Sequence, residues 1–125
     1  MSVANVAGVE VDTRHWIGGQ RVASAAAFTD LSPIDEQPLA AVARGGEAEV
    51  AAAVRAASDA FGGWSATPPK DRAAALHAIA DGIESRAAEL AAVETADNGA
   101  LLRSHVRSVM PRAAQNFRFF ADWLG

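Results

Sequence analysis

PPKDRAAALHAIADGIESRAAELAAVETADNG, residues 68–99, is the stretch on which the fold turns. Leu76, Ile79, Ile83, Ala87, Leu90 and Val93 recur at steps of three and four, the period that lines one face of an α-helix, while Asp81, Glu84, Arg86 and Glu89 fall away from that stripe. Thr67 is the candidate N-cap, with Pro68 at the first helical position, where a missing N–H costs nothing. Asp97-Asn98-Gly99 then supplies residues that tolerate a left-handed cap. The spacing predicts one long helix, and full burial of each large side chain of the stripe stabilises by roughly 1.5–3 kcal/mol.

Upstream, Val50, Val54, Ala57 and Phe61 hold the same period. Glu47 and Glu49 place negative charge at the positive end of that helix, and Gly62-Gly63 is the expected stop. Before it, Gly18-Gly19 between Trp16-Ile17 and Gln20-Arg21-Val22 predicts a two-residue hairpin. Phe28 to Ser32 and Pro38 to Val42 predict a second, around Pro33-Ile34-Asp35-Glu36. Residues 1–13 read as a disordered tail. Downstream, Met110, Ala114, Phe117, Ala121 and Leu124 predict a third helix from about Ser108, with Pro111 in its first turn. Phe119, Phe120 and Trp123 widen its apolar surface, a mark of contact with something else. The expected fold class is α+β: two short antiparallel hairpins followed by three packed helices.

Composition narrows the function. The chain has 125 residues, and alanine accounts for 31 of those in its 50% hydrophobic total, which favours helix over a large core. A net charge of -4 provides no field for nucleic acid or anionic lipid. There is no cysteine, hence no disulfide, thiolate metal site or sulfur nucleophile, and a cytoplasmic protein is the default expectation. No run approaches the roughly 20 apolar residues of a membrane span. His15, His77 and His105 form no zinc-like spacing and read as structural, with His77 placed to pair with Asp81. No G-x-G-x-x-G, P-loop or G-x-S-x-G occurs. The basic set Arg103, His105, Arg107 and Arg112 stands out in an acidic chain. A solvated face and a carboxylate site are both open readings of it. Arg112, directly after the helix-starting proline, is the best candidate for the second, since arginine holds carboxylates with a two-pronged grip.

From Trp16 onward, the order WIGGQRV, FTDLSPIDEQPLAAVARG, AFGGW, the long helix ending in E-T-x-D-N-G, and FRFFADWLG resembles the start of the NAD(P)-dependent aldehyde dehydrogenases. The likeness covers about nine tenths of the chain, so residues 14–125 are expected to form an incomplete amino-terminal portion of that domain. The resemblance implies a parent enzyme, a homodimer or homotetramer, in which a thiolate attacks an aldehyde, hydride passes to NAD or NADP, and the thioester is hydrolysed. The groups for those steps lie downstream in the family. No catalytic residue, coenzyme or enzymatic turnover is therefore expected of this piece alone.

Two minor roles are implied by the same resemblance. A Na+ or K+ ion would take the carbonyl of Asp30 and the carboxylate of Asp97, with a further ligand from elsewhere; Asp97 as a plain helix-end residue is the alternative. The wording RSHVRSVMPRAAQNFRFFADW resembles the branch acting on muconate-type semialdehydes, which implies that Arg112 binds a substrate carboxylate. Phe117 and Phe120 are tunnel candidates, with a core or interface role as the alternative. A reading of a different class also stands: a free-standing helical interaction or oligomerisation module.

Overall fold

In a computed structural model describing residues 2–124, the chain divides into two compact units, with the boundary between Ala66 and Thr67. Short antiparallel strand pairs precede the helices, as the α+β reading expects.

The first unit holds three separate hairpins and one helix. β1 (Val3–Val6) pairs with β2 (Val9–Asp12), a hairpin within the stretch that the sequence suggested as a tail. Its two-residue turn puts Ala7 at φ 51° and Gly8 at φ 83°, the twin positive angles of the turn that matches strand twist. Ala7 does not advertise that turn. What stabilises it is Asn5, whose Oδ1 accepts the Gly8 N–H at 3.1 Å. β3 (His15–Ile17) and β4 (Gln20–Val22) form the expected second hairpin, with Gly18 and Gly19 at φ 58° and 77°. β5 (Ala26–Leu31) and β6 (Pro38–Arg44) form the third, with an irregularity at Asp30/Leu31. The Ala43 N–H is donated to the Thr13 carbonyl at 3.1 Å, tying β6 to the chain that leaves β2.

α1 (Glu47–Ala66) begins as expected, with Glu49 accepting the Gly46 N–H at 2.8 Å. It does not stop at Gly62-Gly63. Neither glycine adopts a positive φ, so each weakens the helix by about 1 kcal/mol without turning it, and it continues through Trp64.

The second unit is helical. The long helix expected over residues 68–99 is two helices, α2 (Pro69–Ser85) and α3 (Ala87–Asn98). Arg86, at φ −114° and ψ 16°, lies outside the helical region, and the Ser85 hydroxyl donates back to the Gly82 carbonyl at 3.0 Å. A glycine followed by a back-bonding serine weakens the ladder at that point. Arg86 then pairs with Glu89 at 2.8 Å in the first turn of α3. Gly99 closes α3 at φ 75°, as its sequence implied. The cap at the other end sits one residue later than expected, with Pro68 at the N-cap and Pro69 inside.

α4 (Leu102–Ser104), a π turn (His105–Val109) and α5 (Met110–Leu124) form one continuous helical run, earlier in onset than Ser108. α5 packs chiefly on α2. Ala80, Ala91, Ala114 and Ala121 are fully or almost fully buried, so these helices meet through small side chains. Arg118 fastens the pair by donating to Asp81 at 2.8 Å and Glu84 at 2.6 Å. Hydrogen bonds to Glu84 and then Asp81 raise its pKa above the ordinary arginine value. His77 reaches Asp122 on α5 at 3.1 Å rather than Asp81.

Candidate functional site

The π turn is the local feature that shapes the basic segment. The N–H of Met110 is donated to the carbonyl of His105, five residues back, and His105 and Met110 are both buried while residues 106–109 are exposed. In an α-helix a five-residue step would put these two side chains on different faces; the wider turn lets one side carry both. Pro111 follows at once. Its ring would crowd the carbonyl four residues back in a tight helix, and the wide turn gives it room.

The basic set expected from the sequence is therefore divided. His105 is only 4% exposed, and neither ring nitrogen meets a protein partner, so it belongs to the interior rather than to a cationic face. Arg103, Arg107 and Arg112 are exposed, and among the described residues none of them meets a carboxylate. By contrast Arg14, Arg86 and Arg118 are all paired. Arg112 stands in the first turn of α5, and on the same helix Ala113, Asn116, Phe117 and Phe120 line an open apolar groove. Phe120 is 60% exposed and stands edge-on to Phe119, which in turn stacks with Trp123. Neither Phe117 nor Phe120 is a core aromatic of this unit. A cation on the helix that carries an apolar trough has the chemistry for a ligand with a carboxylate head and an unsaturated or aliphatic body. Asn116 escaped the sequence reading because a lone asparagine in an aromatic stretch carries no signal until a helix puts it one turn beyond Arg112.

The two cation candidates are placed as follows. Asp30 is on β5 opposite Ala40, at the strand irregularity, and Asp97 is in the last turn of α3, in the other unit. Their oxygens are the hard donors a monovalent cation takes, but among the described residues no group of three or more His, Asp or Glu converges. Nor is any helix among them long and apolar enough to cross a membrane.

Residues 20–125 match the family model described as "Aldehyde dehydrogenase family". The chain is 42% identical over 108 residues to the 5-carboxymethyl-2-hydroxymuconate semialdehyde dehydrogenase of Escherichia coli, covering 86% of this chain and 23% of that protein. It is also 42% identical over 118 residues to the 2-hydroxymuconic semialdehyde dehydrogenase of Pseudomonas sp. (strain CF600), covering 90% and 24% respectively. Among solved structures, the indole-3-acetaldehyde dehydrogenase of P. syringae, in complex with NAD+ and IAA, superposes with a TM-score of 0.89 at 31% identity, over 93% of this chain and 24% of that one. The chain thus spans about a quarter of the length of the curated relatives it matches, corresponding to their amino-terminal portion.

Proposed function

The chain belongs to the aldehyde dehydrogenase family, and on that premise we propose that it supplies the amino-terminal part of an NAD(P)-dependent enzyme oxidising a dicarboxylic semialdehyde of aromatic catabolism. In this reading Arg112 holds a substrate carboxylate and the groove of Phe117 and Phe120 accommodates the carbon skeleton. The observation that carries it is an exposed arginine that meets no carboxylate among the described residues, on the same helix as an apolar groove. The names of the two semialdehyde dehydrogenases support the substrate class, and a muconic substrate with a 2-hydroxyl carries that group on the carbon next to a carboxylate.

The chemistry itself needs a thiolate, and no cysteine occurs in these 125 residues. The chain's own contribution is binding and orientation, which acts on catalysis by fixing the carbonyl end of the substrate at a set distance from its anchored acid end. NAD(P)+, when bound to the complete enzyme, supplies the hydride acceptor. The complete enzyme is a cytoplasmic homodimer or homotetramer in this reading. In this reading the Asp97 carboxylate is one ligand for Na+ or K+, and Asp97→Ala should abolish a K+-dependent thermal stabilisation of the complete enzyme.

The test is kinetic. In the complete enzyme, Arg112→Ala raises KM for a dicarboxylic semialdehyde by about tenfold to a hundredfold, the worth of a charge-assisted hydrogen-bonded pair, and leaves a simple aliphatic aldehyde nearly unaffected. Equal effects on both substrates contradict the assignment.

A further inference from the structure

Three asparagines occur in the chain, and each has a different follower: Asn5 precedes Val6, Asn98 precedes Gly99 and Asn116 precedes Phe117. The follower matters chemically, because the main-chain nitrogen after an asparagine is a nucleophile within reach of the side-chain amide, and the follower's own side chain shields it. Valine and phenylalanine shield it well. Glycine, with no Cβ and a permissive backbone, does not. Asn98 is also the last residue of α3, and Asn98, Gly99 and Ala100 are all exposed. Helix ends fray, so this nitrogen is released more often than one inside a helix. In the closed cap, hydrogen bonds hold both reacting groups. Gly99 donates its N–H to the Thr95 carbonyl at 2.9 Å, which commits the nucleophile. Asn98 Oδ1 accepts the Ala100 N–H at 2.8 Å and Nδ2 donates to Glu94 Oε1 at 2.9 Å, which commits both ends of the side-chain amide.

We propose that Asn98-Gly99 is a self-modification site gated by the cap of α3: when the last turn opens, Asn98 deamidates. The Gly99 nitrogen, its proton passed to solvent, bonds to Cγ of Asn98; the Cγ–Nδ2 bond breaks and ammonia leaves, giving a cyclic imide. Water then opens the ring at either carbonyl, leaving a carboxylate at position 98 in the normal chain or in one lengthened by a methylene. Amide and water thus become carboxylic acid and ammonia, with nothing oxidised or reduced. The product caps less well. The donor to Glu94 is gone, and a new negative charge lies at the negative end of α3, one turn from Glu94 and next to Asp97. Each event loosens the end of α3 permanently, so the site acts as a clock on the age of the protein.

The test incubates the complete enzyme folded, and separately unfolded in guanidinium chloride, and maps each asparagine by peptide mass spectrometry for exchange of the amide –NH2 for –OH, with an isoaspartate assay on the same digest. Position 98 should convert and give the isoaspartyl product, while Asn5 and Asn116 stay intact. The folded enzyme should react about tenfold or more slower than the unfolded one, since the open helix end is a minority state. Glu94→Ala removes one bond of the closed cap and should speed the folded reaction about twofold to fivefold, whereas Glu94→Gln keeps an acceptor oxygen and should stay near the native rate. Gly99→Ala loosens the cap too, but shields the nitrogen, and should nearly stop the reaction in folded and unfolded enzyme alike. That opposition separates the chemistry from damage that merely follows unfolding. The proposal is overturned by an Asn98 that stays intact in the folded enzyme, by equal rates folded and unfolded, by Glu94→Ala reacting at the native rate, or by Gly99→Ala converting as fast as the native protein.

Discussion

At the scale of single residues, Asp12 makes the firmest contact in the first unit. Arg14 grips it with two prongs, Nη2 to Oδ2 at 2.6 Å and Nε to Oδ1 at 3.0 Å. The side chain of Arg14, then its backbone N–H, hold the Asp12 carboxyl down at about 2 against an ordinary 3.8. A carboxylate with a depressed pKa adds stability above its unfolded value and loses it as pH falls through the folded one. The first unit should therefore lose stability between about pH 4 and pH 2, and Asp12→Asn should flatten that part of the profile in a denaturation series. Gly99 makes a second prediction. Its φ of 75° is a left-handed angle that strains a residue with a Cβ, so Gly99→Ala should lower the stability of the second unit by about 1 kcal/mol, read by urea titration.

At the scale of elements, the α2–α5 pair is the best-defined interface, and it is built from alanines. Ala114 has no exposed surface, so Ala114→Leu overpacks the contact and should cost about 1–3 kcal/mol in thermal unfolding. Replacing Arg118 by alanine should cost less, and the loss should vanish in about 1 M salt, because its partners Asp81 and Glu84 are largely exposed. The periodicity of residues 68–99 revealed helix and its glycine cap, since both are local properties. It concealed the break at Arg86, because period three-four continues in phase across one non-helical residue while a serine back-bond leaves no mark in the pattern. The Gly18-Gly19 hairpin was legible for the same local reason, whereas Ala7-Gly8 was not: alanine at positive φ is held there by Asn5 and by the pairing of the strands around it. The π turn was equally hidden. Pro111 announced a disturbance, and its form depended on burying His105 and Met110 together.

At the scale of the whole molecule, the distribution of apolar surface is informative. α1 buries none of its described residues, and Trp16, Phe61 and Trp123 are 64%, 67% and 80% exposed. Scattered exposed apolar residues are normal, but the aromatic cluster of Phe119, Phe120 and Trp123 is contiguous. The 125-residue polypeptide on its own should show red-shifted, readily quenched tryptophan emission and strong binding of hydrophobic dyes, and protected tryptophans would favour a free-standing module. The candidate site was legible at this scale through Arg112, because a cation beside proline and aromatics stands out in an acidic chain. Its groove and Asn116 required the helix to bring side chains four apart onto one face. The central claim is that this chain binds and orients while the oxidation needs a thiolate it does not contain. The direct measurement is NADH absorbance with purified 125-residue polypeptide, a dicarboxylic semialdehyde and NAD+: the account predicts no NADH above a heat-treated control, and sustained NADH formation by this polypeptide alone would contradict it.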